Sequence, residues 1–280
     1  MRVWISTDME GVGGVVNREF TGPSGSEYGA AREWLTREVN AVAEACFENG
    51  AEEVLVTEAH GGAINILREI LHPEAELLNG KVTSLPYIAA TGLTEDFDAA
   101  FLVGYHVRAG RHPGILDHTA WAQTVAEVRV NGMPVGESEL AGGYAGALGV
   151  PLLMAVGDDA LAEDIQQTMP GVKGVAVKHA LNRLQARHMS PTKTYDLIKR
   201  SAVEALRSRD TIEPFTFAAP TTMELDFKAA IYADLAEMVP LCERTGLMTV
   251  AFTGEDFVKE VYPAFCSMCG ISAIAFYQGG

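Results

Sequence analysis

Five side chains of two chemical kinds stand out in this sequence of 280 residues: the carboxylates of Asp8, Glu10 and Glu137 and the imidazoles of His60 and His106. Asp8-Met9-Glu10 follows an aliphatic run at 3–7, and Glu58-Ala59-His60 follows another at 53–57. Tyr105-His106 follows a third at 100–104, and Gly136-Glu137 lies just beyond a predicted hairpin. In open α/β sheets, ligands gather at the carboxyl ends of the strands, so these groups are expected on one edge. Asp8 and Glu10 are two apart on an extended segment and share a face. Carboxylates massed at short range repel one another unless a cation separates them. This mixture of oxygen and nitrogen donors suits zinc or another first-row divalent ion. Three carboxylates with two histidines fit two ions better than one, and two ions roughly 3.5–4 Å apart can share a bridging carboxylate and a bridging hydroxide.

Plainer explanations compete for each group. A single strand-end carboxylate is usually a helix cap or a solvated turn. For Asp158-Asp159, after the fourth aliphatic run at 152–156, the cap is the better reading, with a helix starting near Ala160. Gly11-Val12-Gly13-Gly14 superficially suggests a dinucleotide loop, but Val16 occupies the place of the last required glycine. Those glycines are read as room for tight backbone. His118, in the loop HPGILDHT, suits a general acid or base or an oxyanion stabiliser, with a surface loop histidine as the alternative. His72, His112, His179 and His188 have no convergent partners. Cys266 and Cys269 form a C-x-x-C with no second pair nearby; together with Cys46 and Cys242 they read as packing residues in a reducing cytoplasm.

The elements that must position these groups follow from periodicity. Short aliphatic runs flanked by turn residues read as strands covered on both faces. Between the first two, apolar residues at Ala31, Leu35, Val39, Val42 and Cys46 mark a helix over 28–49, stopped by Gly50. Ser190-Pro191 opens another helix, to about 209. The run at 127–130 followed by Asn131-Gly132 reads as a hairpin. Strand candidates follow at 222–227 and 247–252, then a helix ending near Gly270 and a last strand at 272–276. The fold expected is an α/β three-layer sandwich with a largely parallel or mixed sheet. Residues 1–185 would form the metal-binding catalytic core, and 186–280 a smaller α+β portion packed on it and used in assembly.

Composition excludes several functions. The formal net charge is −16, from 37 acids against 21 bases. Such a chain is repelled by phosphate backbones and by anionic membranes. No apolar run reaches the ~20 residues of a membrane span, and the N-terminus does not read as a signal peptide.

The run Ser6-Thr7-Asp8-Met9-Glu10-Gly11 resembles the S-x-D-x-E-G signature of the D-aminopeptidases of the DppA type, peptidase family M55. The likeness continues through TEAHGGAIN, GYHVRAG, PGILDHT, NGMPVGESEL, PLLMAVGDD and VKHALNR. It implies that Asp8 bridges two zinc ions, that Glu10, His60, His106 and Glu137 complete the ligands, and that His118 is the catalytic histidine. It implies a zinc aminopeptidase for short peptides with N-terminal D-residues, D-Ala above all, acting through a bridging water. It also implies a self-compartmentalising homo-oligomer, a ring-built decamer. Thr57-Glu58 departs from the family pattern, which has Asn-Asp there. Metal ligands alone leave open a two-metal phosphoesterase or amidase, for which Arg108 and Arg111 are the candidate phosphate holders, and a non-catalytic metal-binding assembly protein.

Overall fold

Aliphatic segments without a polar face must be covered on both sides, and here they become the central strands of a layered sheet. The computed structural model describes residues 1–80 and 90–277. In chain order the strands begin with β1 (Arg2–Thr7), β2 (Glu53–Glu58), β3 (Glu76–Leu78), β4 (Ala99–Val103), β5 (Val125–Val130) and β6 (Met133–Pro134). They continue with β7 (Leu152–Asp158), β8 (Lys173–Asn182), β9 (Gln185–His188), β10 (Thr221–Phe227), β11 (Glu243–Arg244) and β12 (Thr249–Gly254). The helices are α1 (Tyr28–Glu48), α2 (Glu137–Ala147), α3 (Asp159–Thr168), α4 (Pro191–Arg207), α5 (Ala230–Ala236) and α6 (Tyr262–Tyr277).

One sheet has seven strands in the order β3-β2-β1-β4-β7-β8-β9, parallel throughout except for the antiparallel edge strand β9. Side chains alternate across it, as the two-residue period requires. Val3 and Ile5 of β1 pack with Leu35, Val39 and Val42 of α1 and Ile198 of α4. Trp4, between them, packs on the other face with Ala141 of α2 and Leu161 and Ile165 of α3. The result is the three-layer sandwich expected from the sequence. From β1 the chain runs outward to β2 and β3, then returns to place β4 on β1's other side. The order therefore reverses between β1 and β4, where such sheets open a crevice at their carboxyl edge.

A second, antiparallel sheet has the order β11-β12-β10-β5-β6. Val128, Leu225 and Val250 from this sheet bury against Phe265 and Met268 of α6. β5 and β6 form the expected hairpin, with Asn131 (φ 52°) and Gly132 (φ 79°) both left-handed at the turn. This sheet draws β5 and β6 from before residue 185, while β9 and α4, after it, belong to the first sheet and its covering layer.

One local expectation is corrected. The segment 272–276 is the last part of α6 rather than a strand, and Cys266-x-x-Cys269 lies within the helix. Ser272, Ala273 and Ala275 are buried there, while the strand-favouring Ile274 and Phe276 are exposed. Ser272 Oγ bonds the Cys269 carbonyl (2.8 Å) and Thr124 Oγ1 (2.9 Å), fastening the helix there. Both cysteines are buried, and burial pushes both thiols up, as suits packing residues. Asp158 is the N-cap of α3, accepting from Leu161 N at 2.9 Å. Among the described residues, no helix is long and apolar enough to cross a membrane.

Lys178 of β8 is fully buried and ties the sheet to the loop that follows β1. Its Nζ donates to the carbonyls of Glu10 (2.5 Å), Val12 (2.9 Å) and Val15 (2.8 Å). On the same loop Gly13 N donates to Glu38 Oε1 at 2.8 Å, from α1. Burial lowers the Lys178 ammonium to about 8 and raises the Glu38 carboxyl to about 7, each softened by the other's charge. Lys178→Met takes the ammonium from the carbonyls of Glu10 and Val15, while Val12 O keeps Val15 N as a donor, and is expected to destabilise the protein by about 3 kcal/mol. Urea unfolding measures this, and an unchanged midpoint would mean that the loop holds itself.

Candidate metal centre

The loops after β1 and β4 cross in close contact at the reversal point of the sheet. Asp8 N donates to Val103 O (2.9 Å) and Gly11 N to Gly104 O (2.8 Å). A Cβ on Gly11 would lie 1.8 Å from the Tyr105 carbonyl, and Gly104 adopts φ +76° with its own Cβ direction blocked by Asp8 O. Glycine is required at both places by contact, and at Gly104 also by conformation. This crossing brings Asp8 and Glu10 beside His106.

Glu137 arrives from another direction as the first residue of α2. A helix N-terminus favours an anion, and Ala120 N donates to Glu137 Oε1 at 2.7 Å. Glu139 accepts from Gly136 N at 2.8 Å and fixes the start of that helix. His60 comes from the loop after β2, which Glu58 clamps by accepting from Asn65 N. Asn65 in turn donates to His60 O (2.9 Å) and accepts from Tyr28 OH (2.7 Å). The longer carboxylate at position 58 thus holds the loop and leaves the centre to His60.

The structure brings together all six residues singled out in the sequence: Asp8, Glu10, His60, His106, His118 and Glu137. His60 Nδ1 is 2.9 Å from Asp8 Oδ1 and 3.0 Å from Glu10 Oε2. His106 Nε2 is 3.4 Å from both Asp8 Oδ2 and Glu137 Oε1. The two oxygens of Asp8 therefore face two different imidazoles. His118 stacks on His106, with ring centroids 4.0 Å apart, and its Nε2 is 3.8 Å from Glu137 Oε1.

Each imidazole is oriented by a backbone carbonyl on its far side. His60 Nε2 faces Thr21 O (2.6 Å), His106 Nδ1 faces Val107 O (2.9 Å), and His118 Nδ1 faces Leu116 O (2.8 Å). A carbonyl only accepts, so the nitrogen facing it carries the hydrogen. In the neutral ring the other nitrogen then presents a lone pair to the carboxylates, the arrangement that metal-ligating histidines adopt.

The electrostatics call for positive charge. Asp8 is nearly fully buried, and burial with the neighbouring Glu10 raises its carboxyl to about 6. Burial would raise Glu10 too, but His60 holds it well below the usual range. Glu137, partly buried, is brought down to about 2 by His106 and His118. Against the cost of burial, Glu10 and Asp8 raise His60 well above its usual value, and Glu137 with Asp8 raises His106 to about 10. His118 is lowered, by burial and by the charge of His106.

Three buried atoms here have no hydrogen-bond partner: Asp8 Oδ2, Glu10 Oε2 and His106 Nε2. Ligand atoms of Asp8, Glu10 and His106 lie within 4.8 Å of one another, as do those of His106, His118 and Glu137. Unpaired oxygen and nitrogen donors at this spacing fit a divalent cation.

The centre forms the buried end of a cavity of about 590 Å³. Leu140, Tyr262 and Phe265 supply an apolar wall, and Arg18 and Arg183 line it from exposed positions. Arg108 and Arg111 do not line it; both are paired with Asp164, and Arg111 also with Glu163. Of the other histidines, His179 pairs with Asp159, His188 Nδ1 accepts from Gly14 N, and His72 stacks on Phe47, all away from the centre. Sequence reading missed Thr21, Arg18 and Lys178. A carbonyl has no side-chain signature, and a lone Arg or Lys gives no hint of what it reaches.

The likeness to known proteins extends over the whole fold. Residues 1–266 match the model of the D-aminopeptidase family, peptidase M55. A D-aminopeptidase of Bacillus subtilis (strain 168) is 34% identical over 269 residues, covering 96% of each chain. The solved structure described as the Zn-dependent D-aminopeptidase DppA from Bacillus subtilis, a self-compartmentalizing protease, superposes with a TM-score of 0.93 at 33% identity, covering 98% of each chain. With the signature segment at the crossing of two sheet loops and the match running through nearly the full length, this chain belongs to the D-aminopeptidase family M55.

Proposed function

We propose that this protein is a binuclear zinc aminopeptidase that removes N-terminal D-residues, D-Ala by preference, from short peptides. The observation that carries the reading is Asp8, whose two carboxylate oxygens face two separate imidazoles. Asp8 would bridge two ions, Glu10 and His60 would complete one site, and His106 and Glu137 the other. Bound zinc supplies Lewis acidity toward a scissile carbonyl and a water acidic enough to act as nucleophile near neutral pH.

The remaining work falls to the chain. His118, tied by Nδ1 to Leu116 O and lowered by burial, is neutral at pH 7, with Nε2 free to take a proton and return it to the leaving amine. The carboxylates attract the substrate's ammonium, and the apolar wall of Leu140 and Phe265 receives a small side chain. The phosphoesterase alternative loses support, since Arg108 and Arg111 are ion-paired away from the cavity. We also propose a ring-built homodecamer in the cytoplasm, with 186–280 contributing to assembly. A self-compartmentalizing relative and the exposed apolar side chains of Met238, Leu241 and Leu247 support this assembly.

Metal analysis with hydrolysis of D-Ala and L-Ala p-nitroanilides tests the assignment. Near two zinc per chain and faster cleavage of the D-substrate are expected. Asp8→Asn should lose both metal and turnover. His118→Ala should keep its zinc while turnover falls about 100-fold or more; a loss of zinc would make His118 a ligand instead. His60 and His106 hold protons at neutral pH when no cation is bound, so zinc must displace them. Zinc affinity should therefore weaken as pH falls. Calorimetry in buffers of different ionisation enthalpy should detect the released protons at pH 7, and no release would argue against these two ligands.

A further inference from the structure

The cavity contains a cation that the metal centre leaves unused. Arg18 opens the short 3-10 helix Arg18–Phe20, lies exposed, and lines the cavity. Among the described residues its guanidinium has no hydrogen bond or ion pair. The adjacent Glu19 is engaged elsewhere, accepting from Ser26 N at 3.1 Å. The cavity's other guanidinium, Arg183, is committed to Asp117, with Nε 2.7 Å from Oδ1 and Nη2 3.0 Å from the carbonyl oxygen.

Arg18 is anchored relative to the metal centre. Its carbonyl accepts from Thr21 N (3.2 Å), and the Thr21 carbonyl orients His60. Asn17 caps the helix by accepting from Glu19 N (3.0 Å), and Phe20 packs on Trp34. The cavity thus has an anionic buried end and, one short turn from the His60 support, an unpaired cation facing solvent. That polarity matches a zwitterion whose ammonium enters first. In a long peptide, a neutral amide would lie at Arg18. Only a short peptide brings its terminal carboxylate there, and the planar guanidinium fork pairs well with a carboxylate.

We propose that Arg18 binds the C-terminal carboxylate of the substrate and so selects peptides of very few residues with a free acid end. This rests on the peptidase reading above. The test compares D-alanyl-D-alanine with its C-terminal amide on zinc-loaded wild-type protein and on Arg18→Gln, using the ratio of the two KM values on each protein. Because both substrates are measured on the same sample, losses of folding or zinc cancel in the ratio.

Wild-type protein is expected to favour the free acid about tenfold, as one charge-assisted pair allows. Arg18→Gln should bring the ratio to within about twofold of unity, and Arg18→Lys should restore part of the preference. The preference should shrink as salt rises. An equal KM for acid and amide in the wild type, or a ratio unchanged by Arg18→Gln, would overturn the proposal. Should the wild type cleave neither compound, the peptidase reading fails, while calorimetric binding of the same two compounds still decides whether Arg18 discriminates them.

Discussion

Two buried carboxylates, Asp8 and Glu10, and a partly buried third, Glu137, lie within a few ångströms of one another at the reversal point of the central sheet, and much of the structure answers to that constraint. Charges this close and this dry are tolerated only when opposite charge stands between them. The imidazoles of His60 and His106 stand in those places, each drawn toward protonation by the carboxylates it faces. Bound divalent metal would satisfy the same demand and would leave an imidazole nitrogen available as a ligand. Unpaired polar atoms on Asp8, Glu10 and His106 mark where the chain alone does not complete the site.

Holding such a cluster together requires rigid backbone. The loops after β1 and β4 are knitted by two hydrogen bonds and pass too closely for any side chain at Gly11. Lys178 fastens the first of these loops from beneath through three carbonyls, and Glu38 takes one of its amides. His60, His106 and His118 each spend one nitrogen on a carbonyl from a loop, which fixes both tautomer and aim. The strain is local: Leu116 and Ala120, flanking His118, both take positive φ. Sparsely populated backbone of this kind persists where surrounding contacts over-determine it. Ala120 shows the return, since its amide then reaches Glu137.

The second sheet and α6 add a wall rather than ligands. Tyr262 and Phe265 belong to the same apolar cluster as β5, β10 and β12, so the cavity's apolar side is an extension of that core. Asp8, Glu10 and Arg18 come from the connection between β1 and α1, and α2 supplies both Glu137 and Leu140 of the wall. Their combination gives the cavity its polarity, with acid buried and base toward solvent.

The sequence by itself determined a good deal. Aliphatic runs fixed β1, β2, β4 and β7, because continuous apolarity leaves no face for water. Strand-end position fixed which carboxylates and imidazoles converge, because parallel strands deliver their carboxyl ends to one edge. The signature around Asp8 and Glu10 gave the family. Tertiary structure decided what local pattern left balanced. Residues 272–276 continue α6, burying Ser272, Ala273 and Ala275 while leaving the strand-favouring Ile274 and Phe276 exposed. β5 joined the second sheet by pairing with β10, some 93 to 102 residues further along the chain, and its hairpin carried β6 with it, a pairing that local pattern does not encode. The tautomers of three histidines, the clamp by Glu58 and the free guanidinium of Arg18 depend on backbone carbonyls and on partners that are absent or distant in sequence. Residue type and spacing encode which groups meet at an edge; they do not encode which lone pair each group is left with once the neighbours have taken theirs.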